Sequence, residues 1–328
     1  MSVLRAGVGS AEVGSDRNER NRMRSVIRLK KSVLGGDVKR LFTDVIRTIL
    51  LQVGSLLSDN FYKTEKQILT SASFFWYLRL VKKESQRSVA LITGAAVRLG
   101  RATALSLAHR GMDVVIHCNR SVRAAEALAA EVELLGCRAA IVQADLSRLD
   151  TLEELFDNAT RALGPISVLV NSASIYSRSS VLDFSSASLE QNIRINAMAP
   201  LVLSRLFAAQ QIEKGCIVNF LDSRIGEYDA MHAAYHLSKR ELHAITRMLA
   251  MELAPRIRVN AVAPGLVLPP EDAPANYSAM RQKELPLACR GSVDDVTRAV
   301  RFLVESPFVT GQTIFVDGGR HLSGNFYG

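Results

Sequence analysis

Tyr235 and Lys239 stand four residues apart, in Tyr235-His236-Leu237-Ser238-Lys239. On a helix that spacing sets a phenol and an ammonium on one face, one turn from each other. Phenol is a poor donor near neutrality, with a pKa of about 10, and a neighbouring ammonium lowers that value by stabilising phenolate. Such a pair can protonate a heteroatom that has just received a hydride. Far upstream, Thr93-Gly94-Ala95-Ala96-Val97-Arg98-Leu99-Gly100 follows a short apolar run. A strand that enters a glycine turn and then a helix aims backbone N–H groups and the helix dipole at a pyrophosphate. Gly94 permits the turn, and Gly100 lets the helix begin close to the sheet. A dinucleotide held near a tyrosine acid is the equipment for hydride transfer.

The elements that must position these groups begin at Ser88. From there β-branched runs alternate with helical stretches, the pattern of a parallel sheet covered on both faces. The runs are Val89–Ile92, Asp113–His117, Ala139–Gln143, Ile166–Val170, Gly215–Phe220, Arg256–Ala261 and Gln312–Val316. They predict an α/β fold, a doubly wound Rossmann-type sheet of seven mainly parallel strands with helices on both faces, in one domain spanning 88–328.

After the second strand comes His117-Cys118-Asn119-Arg120-Ser121. A site selective for NAD puts a carboxylate there for the ribose 2′-hydroxyl, whereas a 2′-phosphate wants cations and hydroxyl donors. Arg120 and Ser121 supply both, and NADPH is the expected cofactor.

The tyrosine–lysine pair lies after the fifth strand and before Arg256-Ile257-Arg258-Val259-Asn260-Ala261-Val262-Ala263-Pro264-Gly265. With the glycine turn, this arrangement resembles the short-chain dehydrogenase/reductase family over residues 88–328. Its finer details resemble the pteridine reductases and bacterial dihydromonapterin reductases. The family's turn is Thr-Gly-x-x-x-Gly-x-Gly, and Arg98 replaces its middle glycine, as in pteridine reductases, where the guanidinium reaches cofactor phosphate and substrate. The resemblance also implies cofactor contacts for Leu99, Asn119, Asp145, Lys239, Pro264 and Gly265. Asn171-Ser172-Ala173-Ser174 matches the family's Asn-Asn-Ala-Gly segment, altered at its second and fourth positions. Asn196 resembles a fourth catalytic member, on a water-linked proton path through Lys239.

Thirteen residues before Tyr235 most short-chain dehydrogenases have a serine that hydrogen-bonds a substrate carbonyl. Asp222 stands there in this chain, and a shift of one residue would place Ser223 instead. A carboxylate accepts hydrogen bonds or relays protons to a nitrogen heterocycle. Pteridine reductases resemble this chain in that aspartate. Tyr176 matches the aromatic that stacks a pterin on the nicotinamide, and Ser174 would contact the pterin or the cofactor phosphate. The implied activity is NADPH-dependent reduction of a dihydropterin to its tetrahydro form, with dihydrofolate a weaker substrate, in a cytoplasmic homotetramer. Arg98, Ser174, Tyr176, Asp222 and Tyr235 would bind the ring. The loop 266–274 would cover it, and the Asp317-Gly318-Gly319 run would serve subunit packing. Two alternatives stay open. One is a carbonyl reductase acting on a 3-oxoacyl thioester or other ketone. The other is an NADPH- or pterin-binding regulatory protein, disfavoured because pure binding needs no acid.

The chain has 328 residues and a formal charge of +9, unevenly placed. Residues 1–87 hold 17 Lys and Arg against 8 Asp and Glu, and residues 88–328 hold 24 of each. The basic leader has three readings: a disordered arm, a tether to membrane surface or nucleic acid, or translated upstream sequence from a start assigned too early. The third is favoured because the first strand begins only at Val89. No Met lies between Met23 and Met112, so a later start would use a non-Met codon near Leu80 or Val81. Nucleic acid is not an expected partner. No apolar run approaches the roughly 18 residues that a membrane span requires. Cys118, Cys137, Cys216 and Cys289 lack Cys-x-x-Cys spacing, which argues against zinc or a disulfide framework and fits a reducing compartment. No metal is expected.

Overall fold

A computed structural model describes residues 87–227, 230–269, 274, 276 and 281–325. The expectations for residues 1–86, and for 270–273 of the covering loop, lie outside the described residues. The described residues belong to one compact unit, Glu84–Gly328.

Seven strands form one sheet: β1 (Val89–Thr93), β2 (Asp113–Cys118), β3 (Ala139–Gln143), β4 (Val168–Asn171), β5 (Gly215–Phe220), β6 (Ile257–Pro264) and β7 (Thr313–Val316). Their order is β3-β2-β1-β4-β5-β6-β7, and every pairing is parallel. The order reverses between β1 and β4, which opens a crevice at the carboxyl ends of those two strands. Among the described residues seven α-helices connect the strands: α1 (Arg98–Ala108), α2 (Val122–Leu134), α3 (Leu152–Leu163), α4 (Ser186–Ile193), α5 (Ala199–Ala209), α6 (Ala233–Glu252) and α7 (Val293–Glu305).

The strands are apolar at successive positions because both faces of the sheet are covered. Alternate residues feed two separate cores. Ala90, Ile92, Val114 and Ile116 pack with Leu107 of α1, Leu128 of α2 and Val300 of α7. Val89, Leu91, Val115 and Ile217 pack on the other face with Phe156 of α3, Phe207 of α5 and Leu249 of α6. Several strand boundaries differ from those predicted by one residue, and the start of β4 and the end of β6 differ by more. Ile166 is drawn out of β4 because the Gln210 side chain accepts from its N–H at 2.9 Å and donates to its carbonyl at 3.2 Å. β6 runs on to Pro264 because β7 pairs with it from Ala261 onward.

Between α4 and α5 the chain makes one π-helical stretch, Arg194–Met198. The wider turn interrupts the regular ladder at Asn196 and frees that segment from straight α-helical continuation. At the other end of the site, α1 starts against its own turn. A Cβ on Gly100 would lie 2.2 Å from the Gly94 carbonyl oxygen. Gly100→Ala should therefore destabilise the fold by about 2 kcal/mol or more. At Gly111 (φ +81°, open space around its Cβ position) the same change should cost only about 1 kcal/mol of backbone strain. Denaturant melts of both variants check the contrast, and equal losses would contradict it.

Candidate active site

The predicted site residues from the glycine turn to Gly265 lie at or beyond the carboxyl ends of strands or on the helices that follow them. Thr93 ends β1, and its hydroxyl accepts from the N–H groups of Ser172 at 3.0 Å and Ala173 at 3.1 Å. That ties the ends of β1 and β4 together across the crevice. Gly94 adopts φ +63°, and a Cβ there would sit 2.9 Å from Ala173 Cα. Only glycine fits both demands. Arg98 holds φ +53°, which gives a physical reason for the glycine usual at this place: a side chain in the left-handed region costs about 1 kcal/mol or more. Its guanidinium donates to the Pro269 carbonyl at 2.9 Å, so it reaches the near end of the predicted covering loop.

The first N–H groups of a helix lack acceptors within it. At the start of α1 these belong to Arg98, Leu99 and Gly100, in a cradle that added Cβ atoms would fill. The segment after β2 presents Arg120 and Ser121 exposed. Gln143 donates to the Asn119 carbonyl at 2.8 Å. Asp145 accepts from Ser147 N–H at 2.9 Å, and that bond, with Arg120 and Arg148 nearby, holds its carboxyl below the usual range. Gly265 packs on Asp317, where a Cβ would meet Asp317 Cβ at 2.6 Å. The Asp317 carboxylate is used within the chain, accepting from the backbone of Gly319 and His321 at 3.0 and 2.7 Å.

The proton-bearing group is built from β5 and α6. Tyr235 is buried and donates its phenol proton to Asp222 at 2.9 Å. The other carboxylate oxygen accepts from Arg224 N–H at 2.8 Å. Lys239 is buried on the next turn, with its amine donating to the Phe220 carbonyl at 2.7 Å and lying 5.8 Å from the centre of the Tyr235 ring. This corrects the expectation that the ammonium lowers the phenol's pKa. Burial, then the Asp222 charge and hydrogen bond, push the Tyr235 pKa well above its ordinary value. Burial pulls Lys239 down to about 8, against the Asp222 charge that raises it. The phenol is therefore held in its protonated form.

Asn196 is fully buried. Its side chain accepts from Ile175 N–H at 2.9 Å and from the Ser174 hydroxyl at 3.1 Å. It donates to the Ile175 carbonyl and to the Ser238 hydroxyl, both at 3.0 Å. It thus fixes the strand-4 loop to α6 beside Lys239. Asn171 is equally internal, donating to Asn219 at 2.8 Å. Tyr176 is half exposed and lies edge-on to Tyr235, with centroids 4.7 Å apart. One of its faces stacks on His232 at 3.9 Å, and its hydroxyl meets His232 Nδ1 at 3.0 Å.

Residues 94–321 match a family model described as enoyl-(acyl carrier protein) reductase. A short-chain type dehydrogenase/reductase of Picea abies is 31% identical over 248 residues, which cover 71% of this chain and 92% of the relative. The chain belongs to the short-chain dehydrogenase/reductase family. Among its relatives, pteridine reductase 1 of Leishmania tarentolae is 32% identical, with 72% of this chain and 96% of that protein covered. A 3-oxoacyl-[acyl-carrier-protein] reductase of Synechocystis is 33% identical, with 70% and 96% covered. The solved structure of FolM alternative dihydrofolate reductase 1 from Brucella canis, complexed with NADP, superposes with a TM-score of 0.68 at 36% identity. It covers 73% of this chain and 96% of its own.

In this member of the family, Asp222 rather than Ser223 faces the Tyr235 phenol. The Ser223 hydroxyl is buried without a hydrogen-bond partner, and its N–H donates to the Pro264 carbonyl at 3.2 Å. Two residues of the site escaped sequence reasoning: His232, behind Tyr176, and His117, inside β2. His117 is 2% exposed. Its Nδ1 accepts from Gly94 N–H at 3.1 Å and its Nε2 lies 3.2 Å from the Ala144 carbonyl. Burial lowers its pKa from 6.5 to about 4, so the ring is neutral near pH 7.

A depressed histidine pKa means that the unfolded chain binds the proton first, so stability is lost as pH falls from 6.5 through 4. The ring alone should remove about 3 kcal/mol of unfolding free energy across that window. His243, lowered by burial and by Arg247, acts in the same direction. Denaturant unfolding of wild type and H117N at several pH values separates the two: the variant should show a shallower decline. Parallel curves would assign the acid sensitivity elsewhere.

Proposed function

We propose that this enzyme reduces a dihydropterin to its tetrahydro form with NADPH. The observation that carries the reading is the hydrogen bond from Tyr235 to Asp222. A hydroxyl at that place could donate to a ketone oxygen; an ionised carboxylate cannot. A ring nitrogen that must gain a proton is served by a phenol backed by a carboxyl group. The FolM alternative dihydrofolate reductases of Brucella canis and Brucella suis, at 36% and 37% identity, support the same reading. So does the Leishmania pteridine reductase.

The cradle suits a phosphorylated dinucleotide: small residues at Gly94 and Gly100, N–H groups at the start of α1, and Arg120 with Ser121 where a 2′-phosphate needs them. Leu99, Asp145, Pro264 and Gly265 would line it. When bound, NADPH supplies the hydride. Tyr235 then gives its proton to the ring nitrogen next to the reduced carbon. A phenolate facing an ionised carboxylate at 2.9 Å is unfavourable, so Tyr235 is reprotonated from solvent, the Asp222 carboxylate taking up that proton and handing it on. Lys239, already against Phe220 and near the ring, stabilises the negative charge in transit. Arg98, Ser174 and Tyr176 hold the heterocycle. Stacking on an aromatic face supplies affinity without demanding one substituent pattern.

Asp222→Ser should lower kcat for a dihydropterin about a hundredfold, with the Kd for NADPH changed less than about threefold, general acid catalysis being worth roughly 10²–10⁴. Unchanged pterin turnover would remove Asp222 from the mechanism. A second reading, reduction of a 3-oxoacyl thioester, is favoured by the 33% identity to the Synechocystis reductase. It predicts instead that the serine variant keeps or gains activity on an acetoacetyl thioester.

A further inference from the structure

We infer that His117 is a positioning residue for the dinucleotide, locking the phosphate-facing turn after β1 to the loop after β3 so that both present a preset surface. The inference rests on the dinucleotide reading of the cradle. Residue 117 holds two consecutive N–H groups of the turn. Its ring accepts from Gly94 at 3.1 Å and its carbonyl from Ala95 at 2.9 Å. Because Nδ1 accepts, the ring proton resides on Nε2, which donates to the Ala144 carbonyl at 3.2 Å. The N–H of Ala144 in turn donates to the Cys118 carbonyl at 3.1 Å.

The consequence is geometric. Gly94 and Ala95 spend their N–H groups inside the protein, so the turn cannot swing them outward. The N–H groups at the start of α1 are left to face a phosphate. Ala144 precedes Asp145, so one imidazole fixes the distance between the pyrophosphate turn and the loop beside Arg120. The ring is rigid, carries an acceptor and a donor on opposite edges, and is closed off from water. An apolar replacement would fill the space and leave the Gly94 N–H and Ala144 carbonyl unmatched, which costs more than the net gain of either bond.

The test uses the full chain and three variants: H117F, H117N, whose amide oxygen can still accept from Gly94, and H117Q, which misplaces that acceptor. Kd for NADPH and for 2′,5′-ADP is measured by fluorescence titration, and kcat at saturating NADPH alongside. H117F should bind NADPH about tenfold more weakly, and 2′,5′-ADP, which lacks the nicotinamide half, less affected. Its kcat at saturation should stay within about twofold of wild type, and H117N should recover most of the affinity. H117F within about threefold of wild type for NADPH, H117N no better than H117F, or a loss in kcat instead of Kd would each overturn the proposal. Should H117F fail to fold, H117Q takes its place under the same criteria. A wild-type protein that binds no NADPH sinks the dinucleotide reading itself and this proposal with it; the variants alone cannot produce that result.

Discussion

The hydrogen bond from the Tyr235 phenol to Asp222 depends on α6 keeping its place against the end of β5, and much of the interior serves that end. Lys239 reaches back from α6 to the carbonyl of Phe220, the last residue of β5. One strand position earlier, Asn219 donates to Thr246 of α6 at 2.9 Å and accepts from Asn171 of β4 at 2.8 Å. Asn196 adds a third tie, from the π-helical stretch to Ser238. Tyr235 therefore sits on a helix tethered to two strands and to the loop that carries Tyr176. Each of these buried side chains makes at least one hydrogen bond inside the protein, as a dry interior demands.

Electrostatics give that framework its chemical sense. Burial and a carboxylate neighbour both favour the phenol over phenolate, so loss of that proton needs a cation beside it to offset the charge that forms. Lys239, drawn down to about 8 by burial, is a cation whose charge becomes useful when negative charge appears on Tyr235. The same low-dielectric interior that raises the phenol's pKa strengthens the stabilisation offered in transit. Acid and electrostatic support are thus two aspects of one buried cluster.

The fold was legible because each strand is apolar on both faces and bounded by helical patterns, a combination that parallel sheets impose. The two boundaries that moved furthest did so through distant partners: Gln210 capturing Ile166, and β7 extending β6. The glycine turn and the Tyr235–Lys239 pair were legible too, since both are local spacings. What sequence could not yield were directions of side chains toward residues far along the chain. Spacing of four put the ammonium beside the phenol but could not show that the amine turns to a carbonyl 19 residues away. His117 read as one more strand residue because its partners, Gly94 and Ala144, lie 23 and 27 residues from it. His232 stayed hidden for the same reason, its partner Tyr176 being 56 residues distant. The one positive signal available for His117 was an imidazole amid the otherwise apolar run Val114–Cys118.

Oxidation of NADPH by the purified full chain, followed with dihydromonapterin, dihydrobiopterin and an acetoacetyl thioester side by side, tests the central claim most directly. The account predicts turnover of the pterins and at least about a hundredfold lower kcat/KM for the thioester, because an aspartate in place of a hydroxyl donor leaves a ketone oxygen without its partner. Efficient reduction of the thioester with no turnover of either pterin would contradict it.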